Sequence, residues 1–133
     1  LLVFGLLVVR AQRPLDGPVP IVWDKEACAH CHMHIGEPAF AAQVQLASGT
    51  VLNFDDPGCM MAWLKRSKDQ PSAVYVRHVK EDRWLTRPQA GFAENLTTPM
   101  GFGIGAIDRT QPGAISWEQA EVLVAKKSAE RGL

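Results

Sequence analysis

The sequence predicts a small α+β domain with a mostly antiparallel sheet of short strands and two helices. Apolar side chains alternate along residues 40–46, and this period of two is typical of a half-buried strand. Two later segments begin with aspartate or serine capping residues, which favour helix starts. The chain has 133 residues, including 11 glycines and 9 prolines, so it suits a single domain with many turns.

The strands are predicted from alternating apolar residues separated by turn residues. Phe40–Leu46 is the first strand, a Ser-Gly turn follows at 48–49, and residues 51–54 return as the second strand of a hairpin. The alternation in 73–79 predicts another strand. The remaining predictions are a brief strand at 84–85, an irregular stretch at 91–99, a glycine-rich loop at 100–105 and a last strand entered at 106–107.

The two helices are predicted from their first residues. The Asp-Asp-Pro sequence at 55–57 combines an acidic cap with proline at the first helical position, and this helix should end near Lys68. The Ser-Trp-Glu-Gln sequence at 116–119 is a capping box, and it should open a helix that extends to about Glu130.

The charge balance excludes one class of function. Fourteen basic residues offset fourteen acidic ones, and no basic cluster is present, so we expect no nucleic-acid partner. No nucleophile–base pair or phosphate-binding loop stands out either, which predicts a binding protein rather than an enzyme.

The N-terminal residues have the composition of an export or anchoring segment. Residues 1–9 are uniformly apolar, and we interpret 1–11 as part of a signal peptide or membrane anchor. Residues 12–22 contain three prolines and a glycine and are predicted to be a linker, which leaves 23–133 as the folded domain. The domain is therefore expected to be periplasmic or otherwise extracytoplasmic, either anchored to the membrane through its N-terminus or secreted.

Cysteine, methionine and histidine are concentrated in two short blocks. Three of the four histidines lie in 28–34, and the cysteines and methionines fall in this block, in 59–61 and at Met100. Thiolate and thioether donors favour Cu(I), whereas Zn(II) prefers four N/S ligands in a closed site. An extended segment would point the sulfurs of Cys31 and Met33 to the same side. Met100 could then complete the site from its glycine-rich loop.

Each of these residues also has an ordinary structural interpretation. Methionines on a helix usually fill core gaps, and a single cysteine is often a small buried apolar residue. Cys28 and Cys31 could form a disulfide outside the cytoplasm. The residues with such interpretations outside the first block are Asp55 and Asp56 as helix caps, Cys59, Met60 and Met61 as core, and His78 as a structural or exposed residue.

Three other functions share the same residues. Cys28-Ala-His-Cys31-His32 fits the pattern of covalent c-type haem attachment, with Met60 or Met100 as the distal ligand, and indicates an electron carrier. A structural zinc module could use both motif cysteines with Cys59 and a histidine. A thiol–disulfide protein would use the C-x-x-C pair, although the usual β-α-β context is missing.

Several motifs in a fixed order resemble those of the NosL family, which comprises copper chaperones for the maturation of nitrous-oxide reductase. The resemblance extends from Cys28 to the C-terminal helix. Each short piece is weak by itself, and the specificity lies in their common order. The motifs are Cys28-x-x-Cys31-His-Met33-x-Ile35, Phe40-Ala-Ala-Gln43, Gly49, Phe54-Asp-Asp56, Gly58-Cys-Met60, Thr98-Pro-Met100-Gly and Trp117.

The resemblance implies a site and a role. It implies a NosL-like fold and Cu(I) held by the sulfurs of Cys31, Met33 and Met100. Cys28 matches the first cysteine of a C-x-x-C-x-M variant of the motif, and His32 is a further candidate ligand among the additional histidines. The implied partner is a copper-accepting protein, such as nitrous-oxide reductase or its assembly factors. Unlike many members, this sequence has no obvious lipid-attachment cysteine.

Overall fold

The computed structural model describes residues 15–132. The predicted export or anchoring segment at 1–11 and the first residues of the predicted linker lie outside the described residues. Among the residues described, no helix is both long enough and apolar enough to cross a bilayer.

Four antiparallel strands form the main sheet and confirm the predicted hairpin. They are β1 (Ala42–Leu46), β2 (Val51–Phe54), β3 (Pro71–Arg77) and β4 (Trp84–Thr86), in the order β2-β1-β3-β4. β1 starts two residues later than predicted, because residues 38–40 form a short 3-10 helix opened by proline.

A second, two-stranded sheet was not predicted. It pairs β5 (Ala90–Ala93) with β6 (Gly105–Asp108), so the expectation of an irregular stretch from residue 91 is wrong for its first three residues. The backbone of Phe92 also exchanges two hydrogen bonds with Ile115, at 3.0 and 2.9 Å. A Cβ atom on Gly91 would lie 3.1 Å from the Ile115 oxygen, so the glycine permits this close approach.

Both predicted helices are present. The first, α1 (Pro57–Arg66), is capped by Asp56 and ends two residues before Lys68, because the chain becomes extended at Ser67. The second, α2 (Trp117–Glu130), begins with the predicted capping box, in which the Ser116 side chain accepts a hydrogen bond from the Gln119 backbone.

The apolar core lies between the two helices and one face of the main sheet. Phe92 and Trp117 pack edge to face with ring centroids 5.3 Å apart, which joins the second sheet to α2. The buried core side chains contributed by the main sheet and α1 are Ala42, Val44, Phe54, Val74, Val76, Leu85, Cys59, Met60, Met61 and Ala62.

The opposite face of the main sheet is covered by the chain that precedes the first strand. The Gln43 side chain donates to the Val19 carbonyl and accepts from its backbone N–H, both at 2.8 Å. Gln45 donates to the Gly17 carbonyl at 2.8 Å. Both glutamines are buried, and these bonds satisfy their amide groups. Part of the predicted linker therefore lies against the sheet.

Candidate metal centre

A tight loop brings the two motif cysteines together. The backbone of Cys28 donates to the Met33 carbonyl at 2.8 Å, and His32 donates to the Cys28 carbonyl at 2.9 Å. His32 has a φ of 66°, the left-handed conformation that reverses the chain there. This turn brings the side chains of Cys28 and Cys31 to the same side of the loop.

The junction between β2 and α1 supplies two further donors. Asp55 follows the last residue of β2, and Cys59 lies four residues later in the first turn of α1. The chain is extended at Asp56 between these two residues, and both side chains face the loop that carries the motif cysteines. The loop is tied to this junction by a 2.8 Å hydrogen bond from the Ala29 backbone to the Asn53 carbonyl.

Three thiols and one carboxylate converge at this place. The sulfurs of Cys28, Cys31 and Cys59 and a carboxylate oxygen of Asp55 all lie within 4.8 Å of one another. The Cys31 thiol donates to the two Asp55 oxygens at 3.4 and 3.5 Å. We refer to these four side chains as the thiol cluster. Its cysteines are free thiols, so the motif pair is not joined by a disulfide.

Three of the four side chains in the thiol cluster are buried, and the fourth is partly exposed to solvent. Cys28 and Cys59 are fully buried, and Asp55 is only 3% exposed. Cys31 is partly exposed and forms the opening of the cluster to solvent. A metal or a partner's ligand would therefore approach through Cys31.

The close packing of the cluster shifts the pKa values of its four acidic groups. The interaction with the neighbouring Cys59 thiol lowers the pKa of Cys28, while the same interaction and burial raise the pKa of Cys59. Burial, reinforced by the charge on Cys28, raises the pKa of Asp55 to about 6. Burial also raises the pKa of Cys31. A bound cation would stabilise the deprotonated groups, so metal binding should release protons.

The structure brings together some of the predicted ligands and leaves others at the surface. Cys28 and Cys31 lie in the cluster, whereas His32 is exposed and does not belong to it. The Met33 side chain is 59% exposed, at the mouth of the same loop. Sequence reasoning did not include Cys59 and Asp55 in the copper site. No local pattern in the sequence brings these two residues to the motif cysteines, because the contact is between distant segments.

Met100 is held at the same end of α1 as the thiol cluster. The Asp56 carboxylate accepts from the Thr98 hydroxyl at 2.6 Å and from the Met100 backbone at 3.0 Å, while it also caps α1 through Gly58 at 2.8 Å. Burial raises the pKa of Asp56, and these hydrogen bonds oppose the shift. The glycine-rich loop therefore meets the helix end that presents Asp55 and Cys59.

A second group of potential ligands has a different chemistry. His78, Glu81 and Asp108 lie close together, but His78 Nδ1 accepts two backbone N–H bonds, from Lys80 and Glu81, each at 3.1 Å. The His78 proton is therefore on Nε2, which lies 3.6 Å from Asp108 and has no lone pair for a metal. Arg83 already pairs with both carboxylates.

Comparison with known proteins identifies the family of this chain. The family model described as NosL matches residues 18–124, which is most of the chain and includes the whole thiol cluster and Met100. A search of curated proteins and a search of solved structures each gave no match. From the extent of the family match, this chain belongs to the NosL family of copper-binding accessory proteins.

Proposed function

We propose that this chain is an extracytoplasmic chaperone that binds Cu(I) at the thiol cluster and delivers it to a copper-accepting protein. The observation that carries the proposal is the convergence of three free thiols within 4.8 Å of one another, at a partly exposed cysteine. Copper is the cargo in this function and not a resident cofactor.

The donor chemistry favours Cu(I). Thiolates are soft ligands, and three of them offer the low coordination numbers that Cu(I) accepts. Cys28 and Cys31 are the central ligands in this proposal, with Cys59 as the third thiol and Met100 as a thioether from the loop at the same helix end. Asp55 accepts the Cys31 proton or orients its sulfur, because a carboxylate is a poor ligand for a soft metal.

Transfer follows from the unequal exposure of the donors. A thiol or imidazole of the partner binds copper at the exposed side of the cluster and displaces the Cys31 sulfur. The buried sulfurs then release the ion by further ligand exchange. Met33, at 59% exposure, and His32 provide weaker donors at the mouth during this exchange. Nitrous-oxide reductase or one of its assembly factors is the proposed recipient, and the N-terminal segment holds the domain at the membrane.

A structural zinc site is the second candidate, and the Asp55 carboxylate favours it. Three thiolates and one carboxylate make the four-ligand closed set that Zn(II) prefers. Haem attachment is disfavoured by the burial of Cys28, which packs against Cys59 inside the core instead of facing a crevice.

The proposal is tested by replacing the exposed thiol. Cys31→Ser should abolish high-affinity Cu(I) binding while the domain stays folded, because Cys31 is only partly buried and serine is a weak ligand for Cu(I). Binding is measured by competition with a chromophoric Cu(I) chelator under anaerobic, reducing conditions, and folding by circular dichroism.

Met61→Leu is the matched control. It removes a sulfur from the buried face of α1 at nearly constant volume and should leave Cu(I) affinity unchanged. A Cys31→Ser protein that binds Cu(I) as tightly as the wild type would contradict the proposal.

A further inference from the structure

The loop that carries Met100 is held from a second side by the C-terminal end of α2, through Lys127 in its last turn and Arg131 just after it. We define the methionine loop as Thr98–Gly103. Lys127 Nζ donates to the Phe102 carbonyl at 2.7 Å. Arg131 donates through Nη1 to the Met100 carbonyl at 2.8 Å and through Nη2 to the Gly101 carbonyl at 2.9 Å. The two cations thus bind three consecutive carbonyls.

The methionine loop needs such external partners. Gly101 and Gly103 have φ values of 69° and 80°, so its backbone follows no strand or helix path. Glycine-rich backbone also loses more conformational entropy on ordering than other sequences do. The internal hydrogen bonds of the loop are those from Gly101 N and Gly103 N to Thr98, each at 3.1 Å.

The glycines are matched to the two cations. A Cβ atom at Gly101 would lie 3.1 Å from Arg131 Nη2, and one at Gly103 would lie 2.8 Å from Lys127 Nζ. Both are tighter than ordinary contacts, so a larger residue at either position would displace a cation. The glycines of the loop therefore serve the approach of α2 as well as the turns themselves.

Arg131 also presses the methionine loop against α1. Its guanidinium lies over the Phe102 ring, 4.7 Å from the centroid. Phe102 is buried, and its Cγ lies 2.1 Å from where a Cβ on Gly58 would be, so the ring packs directly on the first turn of α1. The Phe102 ring is therefore packed between the Arg131 guanidinium and the first turn of α1. This packing fixes the distance between the Met100 backbone and the start of α1.

We propose that Arg131 and Lys127 are positioning residues for copper, because they hold the methionine loop where the Met100 thioether completes the Cu(I) site of the thiol cluster. This proposal rests on the proposed function. Arginine suits the task, since its planar fork can bind two neighbouring carbonyls at once, whereas lysine offers a single point charge. A loop that is already ordered binds metal more tightly, because the binding free energy then includes no entropy cost of ordering the loop.

The test compares variants of α2 in the full chain. Arg131→Gln should weaken Cu(I) affinity about tenfold, the lower end of the range typical for residues that orient metal ligands. X-ray absorption should show one sulfur neighbour of copper fewer, and hydrogen exchange at residues 100–103 should be faster. Arg131→Lys, which retains the charge and one donor direction, should recover part of the affinity.

Lys126→Gln is the control, because it makes the same charge change on an exposed residue near the end of α2. It should leave the affinity and the sulfur count unchanged. A wild-type protein that does not bind Cu(I) would overturn the proposed function itself. Arg131→Gln with wild-type affinity and sulfur count would overturn only the positioning role.

A double variant distinguishes positioning from general stability. Met100→Leu removes the thioether at nearly constant volume and should weaken Cu(I) binding by itself. If Arg131 acts through Met100, Arg131→Gln should cause no further loss of affinity in the Met100→Leu background. Additive losses would overturn the proposal, since Arg131 would then act independently of the methionine.

Discussion

Asp55 is a carboxylate enclosed by three thiols, and this setting makes it the most informative single residue of the site. It is 3% exposed, and burial raises its pKa to about 6. The folded apo protein therefore holds a proton on Asp55 at pH values where the unfolded chain has lost it. A group of this kind stabilises the fold at low pH and loses that contribution as the pH rises through about 6.

Asp55→Asn removes this titration while it keeps the size of the side chain. The free energy of unfolding of the variant relative to the wild type should rise by about 2 kcal/mol as the pH of the apo protein rises from 4 to 7. Urea unfolding of both proteins at a series of pH values measures the difference. A difference that does not change with pH would show that Asp55 titrates as it does in the unfolded chain.

The residues of the site were predictable where their spacing is local. Cys28 and Cys31 lie within one turn, so the sequence alone placed them together. Cys59 joins them only because the β2–α1 junction lies beside the loop, a long-range contact that no local pattern contains. Asp55 was predicted as a helix cap, whereas Asp56 is the cap and Asp55 lies in the cluster.

Asp56 joins two elements that the sequence separates by more than forty residues. Its carboxylate accepts from Gly58 at the start of α1 and from Thr98 and Met100 in the methionine loop. Asp56 is fully buried, so without its carboxylate the groups that donate to it would have no water to bind instead. One side chain therefore fixes both the helix start and the position of the loop.

Asp56→Ala should lower the free energy of unfolding by about 2–4 kcal/mol, which combines the loss of a helix cap with buried donors left without acceptors. Ser116→Ala at the exposed start of α2 is the matched control and should cost about 1 kcal/mol. Chemical denaturation of the two apo variants measures both values. Equal losses would mean that the contacts of Asp56 with the methionine loop contribute little to stability.

Helices and strands were predicted best where the residues that determine them lie within or next to the same segment. The capping sequences at 55–57 and 116–119 gave correct helix starts, because caps act on adjacent backbone groups. Most of β5 was predicted as irregular chain, whereas its Gly91 lets the strand approach the Ile115 backbone and pair with it. This tertiary contact overrides the local preference.

At the scale of the described chain, the core consists mainly of side chains outside the thiol cluster, although Cys28 and Cys59 also belong to it. Aromatic and aliphatic side chains from both sheets and both helices form one continuous buried cluster. The thiol cluster lies at one end of it, between the loop at 28–34 and the start of α1. The class of fold was predictable from the periodicity and caps, but the strand order and the second sheet depend on pairings between distant segments.

Removal of metal should therefore leave the domain folded. Protein treated with a chelator under reducing conditions should keep its circular dichroism and unfold cooperatively, and Cu(I) at a free concentration one hundred times its Kd should add about 2.7 kcal/mol of stability. Thermal unfolding with and without metal measures this. Loss of the fold on chelation would instead support the structural zinc candidate, because structural zinc contributes the folding energy itself.

The accessible position of Cys31 beside a second free thiol also makes the site sensitive to oxidants. If Cys28 and Cys31 lost two electrons and joined, both would cease to be ligands in a single step, and the protein would be unable to take up copper until a dithiol reduced it again. The domain is proposed to work outside the cytoplasm, where disulfides persist. Its capacity for copper would then be governed by a source of electrons as much as by the concentration of the metal.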